Sequence, residues 1–380
     1  RPHPHTPAPP LPPGDELANE PELRRMPTTE LARRTGLPEN HNTAIVKSKG
    51  KSSITPETAI KLERALGMPA DYWLNLEANY QEASARLAEE DDLEAGLDWL
   101  RRVPVAAMAK LGWLRQHRDE KAQLVEVLRF FGIAGVGQWE QMWPRLAVAY
   151  RQHAKQEICN IAVSAWLRQG ELQAERIDCA PYDKAAFRAA LDAVRALTAE
   201  PDPDRVVPAL QARCAAAGVA VVFVPALPKS GVSGETRWLH PEKAIIQLSL
   251  RYRSNDHLWF TFFHEAGHIL LHGKKALFLE AADATGVNGM DAAKEAEANA
   301  FAEQELIPRS ALKAFTARAT FSKAAIRDFA LAHGIAPGIV VGQLQHKGLL
   351  PPSHCNDLKV RYQWTDENPE NGRAAATPTP

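Results

Sequence analysis

Two histidines four residues apart, His264 and His268, with Glu265 directly after the first, are the side chains best spaced to do chemistry in this chain. On an α-helix, positions i and i+4 lie about 40° apart on one face, so both imidazoles can reach one zinc ion at about 2.0–2.1 Å. A glutamate one residue on sits beside the ion without binding it. There it can take a proton from a metal-activated water and pass it to a leaving amine. Zinc lowers the pKa of such a water to roughly 7 and polarises a carbonyl, so the pattern reads as peptide hydrolysis. The competing reading is a histidine pair hydrogen-bonded inside a helical core.

The element that must position these groups is residues 257–273, HLWFTFFHEAGHILLHG. With His264 at zero and 100° per residue, His257, Thr261, Glu265, His268 and His272 fall between zero and about 100°. Leu258, Trp259, Phe260, Phe262, Phe263, Ile269, Leu270 and Leu271 fill the rest of the circle. A helix apolar nearly all round is a buried helix. This one is expected to be buried except for a single stripe of metal-binding and acid/base side chains, with Gly273 as a left-handed stop. His257 belongs at the rim, in the first turn. His272 is expected behind the ligands at the helix end, because its spacing differs from the metzincin pattern, whose third histidine lies six residues beyond the second.

Two histidines leave zinc too open, so a third ligand is required. The helix expected from about Asp291 offers Glu295, Glu297, Glu303 and Glu305. With Glu295 at zero, Asn299, Ala302, Leu306 and Ala298 project within about 60° of it, a small-residue face suited to close packing, whereas Glu297 projects to about 200°. A carboxylate on a packed face needs a partner. The projection therefore favours Glu295 as ligand, with Asn299 one turn on holding the carboxylate in place.

The remaining sequence sets the frame. At 380 residues, two or three domains are expected. An apolar share of 45%, a charged share of 24% and a net charge of −1 are those of an ordinary globular protein, with no whole-molecule pull toward nucleic acid or membrane. Cys159, Cys179, Cys214 and Cys355 form no Cys-x-x-Cys pair, which fits reduced thiols in a cytoplasmic protein. No apolar run reaches membrane-spanning length, and no secretory signal opens the chain. It starts on Arg1 instead of Met, as a trimmed chain or fragment would.

Residues 1–13 are Pro-rich and expected to be disordered, and residues 351–380 form a C-terminal tail. From residue 14 to 80 short helices are expected. One is capped by Thr28 or Thr29 and ends at Gly36; another opens at Thr55-Pro56-Glu57, carries Ala59, Leu62 and Leu66, and stops at Gly67. Short helix, Gly turn, short helix is the helix-turn-helix pattern. Residues 81–185 read as a connecting domain of amphipathic helices with tryptophans 99, 113, 139, 143 and 166 as packing anchors. Within residues 186–350, two Val- and Ile-rich runs, 219–224 and 244–250, read as strands joined by a turn around Gly231 and Gly234.

At FHEAGHILLH, the following Lys274, Lys275 and Phe278, and EAEANAFAEQELIP, the sequence resembles the ImmA/IrrE family of metallopeptidases. The family's last motif falls on Glu295, Ala298, Asn299, Phe301, Ala302 and Pro308. The resemblance implies zinc ligands His264, His268 and Glu295, Glu265 as catalytic base, a gluzincin-type fold, and a narrow protein substrate such as a helix-turn-helix repressor. Residues 26–80 resemble the helix-turn-helix of HigA-type antitoxins. A recognition helix there would carry Asn40, His41, Thr43, Lys47 and Lys49 as candidate contacts to double-stranded DNA; Asn42 stands where an apolar residue would be expected. Lys and Arg are in excess over residues 24–64, which favours phosphate contacts.

The expected fold class is therefore α+β: an N-terminal all-α helix-turn-helix module, a helical middle region, and a C-terminal zincin-like (gluzincin) peptidase with a small β-sheet. The expected function is a cytoplasmic zinc endopeptidase that cleaves a repressor or its own linker. The rival is a DNA-binding regulator or antitoxin whose peptidase domain is a sensor or inactive. A homodimer is compatible with either. The peptide is expected along an edge strand at 244–250, with Tyr252, His240 or Arg237 as oxyanion donors.

Overall fold

The structure, a computed structural model, describes residues 13, 15, 26–37, 53–151, 159–272, 290–317, 321–364 and 374–376. The expected DNA-contacting residues Asn40, His41, Thr43, Lys47 and Lys49, the helix stop Gly273, and Lys274, Lys275 and Phe278 lie outside the described residues. The chain divides into two compact units, residues 1–96 and 97–380.

The first unit contains helices α1 (Thr28–Thr35) and α2 (Pro56–Leu66) and most of α3 (Ala70–Leu100). The Thr55 hydroxyl accepts from the Thr58 amide at 3.3 Å, Pro56 opens the first turn of α2, and Gly67 closes the helix at φ 78°. The first helix is preceded by Pro27 with no side-chain cap, so neither Thr28 nor Thr29 serves as the expected cap; Gly36 ends it at φ 64°. Leu31, Ile54, Ala59, Leu62, Leu66 and Trp73 form the core of this unit. Helix α3 runs through residue 80, the expected boundary between the helix-turn-helix and connecting domains.

In the second unit, α4 (Val105–Lys110), α5 (Glu120–Phe131), α6 (Val136–Arg151) and α7 (Asn160–Glu175) lead to α8 (Lys184–Ala196) and α9 (Pro203–Ala215). Trp99, Trp139, Trp143 and Trp166 are buried, and Trp113 stacks on Phe130. Strands β1 (Val219–Phe223), β2 (Gly234–His240) and β3 (Lys243–Leu248) follow, then α10 (Asn255–Leu271), α11 (Met290–Leu306), α12 (Arg309–Thr316), α13 (Lys323–Ala332) and α14 (Pro337–His346). A short pair, β4 (Tyr362–Trp364) and β5 (Ala374–Ala376), comes last. The described residues are thus α+β, with helices around a small sheet.

The sheet has the order β1–β3–β2, with β3 parallel to β1 and antiparallel to β2. This corrects two expectations. The segment read as a turn continues into a strand, Gly234–His240, and the run at 244–250 is the central strand, already hydrogen-bonded on both sides. The edge position nearest α10 belongs to β2. Its residues alternate between faces. Arg237 points to α7, donating to the Leu167 carbonyl at 2.7 Å, as Gln247 does to the Trp166 carbonyl at 2.6 Å. Gly234 faces the other way, onto Thr261 and Glu265 of α10. The sheet is therefore sandwiched between α7 and α10.

Helix α10 is buried as its composition requires, with Trp259, Phe262, Phe263 and Ala266 at 0% exposure. The loop before it is fastened by residues near the chain's end: Tyr362 N–H donates to the Arg253 carbonyl at 2.8 Å and Asn255 N–H to the Val360 carbonyl at 2.9 Å. Among the described residues no single helix is long and apolar enough to cross a membrane. Helices α13 and α14 reach that length and composition only as a pair bent by 114°. Val340, Val341 and Leu344 of α14 are packed in the core.

Candidate metal centre

The polar stripe of α10 meets α11 where both helices carry small residues. A Cβ built on Gly267 would stand 3.0 Å from Phe301 Cδ1 and 3.3 Å from Ala298 Cα, so glycine is what permits the approach. Ala298 and Ala302, on the small-residue face of α11, are fully buried. Glu295 is brought to the histidines by this contact. Its Oε2 lies 3.3 Å from His264 Nε2, its Oε1 lies 3.2 Å from His268 Nε2, and the two Nε2 atoms are 3.0 Å apart.

These separations fit a metal. A tetrahedral zinc with bonds of about 2.0–2.1 Å spaces its ligand atoms by about 3.3–3.4 Å. The hydrogen bonds behind the ligands point the same way. Asn299 Oδ1, 3.0 Å from His264 Nδ1, can only accept, so the proton sits on Nδ1 and the Nε2 lone pair faces the centre. His272 Nε2 donates to Glu297 Oε2 at 3.3 Å, which leaves His272 Nδ1 to accept from His268 Nδ1 at 2.9 Å. The lone pair of His268 Nε2 is thereby also turned inward. Two lone pairs and a carboxylate at one point repel one another unless a cation or protons lie between them. Among the described residues, this trio is the one group of His, Cys, Asp and Glu arranged to hold a metal ion.

Asn299 thus differs from its expected role. It orients the His264 imidazole, not the Glu295 carboxylate. His272 stands behind His268, at the C-terminal cap of α10. Glu297 is exposed, as its projection required, but it finishes the chain that fixes the His268 tautomer.

Without a metal, protons do part of the work. Burial favours the neutral form of His264, yet hydrogen bonding to Glu295 and the charges of Glu265 and Glu295 outweigh it and raise the pKa. Burial would raise Glu295 as well, but His264 and His268 hold its carboxyl well below the usual range. Burial lowers the His272 pKa, helped by His268 and opposed by Glu297.

Glu265 neighbours this centre without belonging to it. It is 7% exposed, and a Cβ on Gly234 would lie 3.0 Å from its Oε1. Burial pushes its pKa up to about 8; the His264 charge pulls down, while Glu235 and Glu295 push up. A carboxyl so placed holds a proton readily, as an acid/base group must.

The three oxyanion candidates fare differently. Arg237 is committed to Leu167 and Glu171 on the far face of the sheet. His240 lies at the other end of β2, about 20 Å along the strand from Gly234. Tyr252 is exposed and stacks on His257 at 4.4 Å, near the start of α10. Gly234 and Gly267 are the site residues that sequence reasoning missed. Gly267 could have been found as an isolated glycine in an otherwise regular helical pattern, which marks a close approach; Gly234, set among turn-like residues, gave no such signal.

Comparison with known proteins adds the following. Residues 214–325 match the family model described as Peptidase_M78, IrrE N-terminal-like domain, so the chain carries a domain of that peptidase family. No curated protein matches the chain. Among solved structures, an addiction module antidote protein of the HigA family from Coxiella burnetii is similar at 32% identity, over 23% of this chain and 95% of that one, with a TM-score of 0.21.

Proposed function

We propose, from the M78-type domain at residues 214–325, that this chain is a zinc-dependent endopeptidase of narrow specificity with a zincin-like catalytic domain, coupled to a helix-turn-helix region. The observation that carries the reading is the convergence of His264, His268 and Glu295 within 4.8 Å, with Glu265 beside them. A zinc ion held there would supply Lewis acidity, acidifying water and polarising a carbonyl.

The chain's own residues do the rest. His264 and His268 offer lone pairs in orientations fixed by Asn299 and by the His272–Glu297 pair. Glu265 accepts the proton of the attacking water and returns it to the departing amine. Strand β2, at the edge of the described sheet and in contact with Glu265 through Gly234, aligns the peptide by strand addition. Burial of Glu265 excludes bulk water from the proton transfer.

A helix-turn-helix repressor is the substrate the resemblance implies, and this chain's own linker is a second candidate. The test is to incubate the zinc-loaded protein alone and with a panel of such repressors. New fragments that vanish with Glu265→Gln, while zinc is retained, support the reading. Stoichiometric zinc with no fragments, or fragments that persist in the variant, contradict it. For the N-terminal region we propose binding of double-stranded DNA, which would be salt-sensitive and would survive Glu265→Gln.

A further inference from the structure

Glu303 and Glu305, which the sequence offered as ligands alongside Glu295, each pair with a cation on another helix. Glu305 Oε2 lies 2.6 Å from Arg188 Nη1 of α8. Glu303 Oε2 lies 2.6 Å from Lys347 Nζ, at the end of α14. With Glu295 at zero, Glu305 projects to about 280° and Glu303 to about 80°, so the pairs stand on opposite flanks of α11. We infer that these two ion pairs set the rotation of α11 about its axis, which makes Arg188 and Lys347 positioning residues for the metal centre. The inference rests on the peptidase reading above.

Each flank is gripped by more than one contact. The Arg188 guanidinium lies 5.5 Å from the centre of the Phe301 ring, the ring that a Cβ on Gly267 would meet. Arg195, two turns along α8 and on the same face, donates from Nε to the Leu306 carbonyl at 3.2 Å. That carbonyl is one of those left open at the end of α11. On the other flank, Gln343 Nε2 of α14 donates to the Glu303 carbonyl at 3.0 Å. Both cations come from outside the part of the chain that matches the peptidase family, residues 214–325.

Rotation is what the centre tolerates least. Side-chain tips lie about 5–6 Å from a helix axis, so a turn of about 20° moves the Glu295 carboxylate by about 2 Å. Metal-ligand bonds accommodate only about 0.2 Å. Asn299 would swing with Glu295 and lose its hold on the His264 ring. Partly exposed ion pairs add little to overall stability, so what these two fix is orientation.

The experiment measures zinc affinity of the full chain by chelator competition, and the visible absorption of the cobalt-loaded chain, which reports ligand geometry. Arg188→Ala and Lys347→Ala should each weaken zinc binding by about 3- to 10-fold and alter the cobalt spectrum. The urea midpoint of the zinc-free protein should move little. Because one nitrogen makes the contact to Glu305, Arg188→Lys should recover affinity to within about 2-fold of wild type. Glu305→Gln, which keeps the shape, should match Arg188→Ala, and the two together should lose no more than either alone. Wild-type affinity and an unchanged cobalt spectrum in both alanine variants, with or without lost stability, overturn the inference. So does a lysine variant as weak as alanine, or a fully additive loss in the Arg188–Glu305 double variant. A wild-type chain that takes up no zinc overturns the peptidase reading and this inference together.

Discussion

His264 Nδ1 lies 3.0 Å from Asn299 Oδ1, across the contact between α10 and α11. Asn299 is one turn beyond Glu295, which faces the other nitrogen of the same ring at 3.3 Å. One helix thus grips both sides of a single imidazole: the amide fixes its tautomer and the carboxylate shares its ligand position. If the centre holds zinc, removing the amide should weaken the metal without removing a ligand. Asn299→Ala is expected to lower zinc affinity by about 10- to 100-fold, and Asn299→Asp, which still accepts, by much less. Competition with a chromogenic chelator measures this, and equal losses in the two variants would contradict it.

Glu265→Gln separates binding from chemistry. The amide fills the same space and cannot act as a base, so zinc content should stay at the wild-type level while cleavage falls by about 10²- to 10⁴-fold. Zinc content and fragment yield, measured on the same preparation, check both halves.

Protons and zinc compete for the centre, and the direction of that competition follows from two shifts. The His264 pKa is raised above its ordinary 6.5, so its contribution to the stability of the zinc-free protein is complete below 6.5 and is lost as pH rises through the raised value. The Glu295 pKa is depressed below 4.5, so its contribution is present above 4.5 and is lost as pH falls through the depressed value. The zinc-free protein should therefore gain most from this pair between pH 4.5 and 6.5. Zinc affinity should fall about tenfold per pH unit, for this one proton, once pH drops below the raised His264 value. Thermal melts with and without zinc should show a stabilisation by zinc that grows from pH 6 to pH 8; a shift independent of pH would refute the coupling.

Gly267 sets how closely α10 and α11 approach. Gly267→Val should push against Phe301 and the Ala298 backbone, destabilise the zinc-free protein by about 1–3 kcal/mol, and move Glu295 away from the histidines. Denaturant unfolding of the zinc-free protein reads the first effect and zinc affinity the second. A variant of normal stability and normal affinity would show that this approach does not build the site.

The metal helix was legible because its period separates polar from apolar so sharply: six side chains on one stripe and aromatic or aliphatic residues on the rest. Glu295 could be chosen over Glu297 for a similar reason, since Ala298 and Ala302 mark the packed face. Strand β2 was not legible. Gly231, Gly234 and the charges of Glu235 and Arg237 look like a turn, and only the pairing with β3 shows that Thr236 and Trp238 face one way and Arg237 the other. With β2 unrecognised, the central strand looked like an edge. Asn299 was found by its spacing but given the wrong partner. Helical projection places a residue on a face; it does not say which atom across the interface it will meet.

The central claim is that His264, His268 and Glu295 hold one cation in common. The most direct measurement is the zinc content, after exhaustive dialysis, of the wild-type chain beside Glu295→Ala. One zinc per chain in the first and a loss of about 100-fold or more in affinity in the second is the expected result. Zinc retained equally by both, or absent from the wild-type chain, would contradict it.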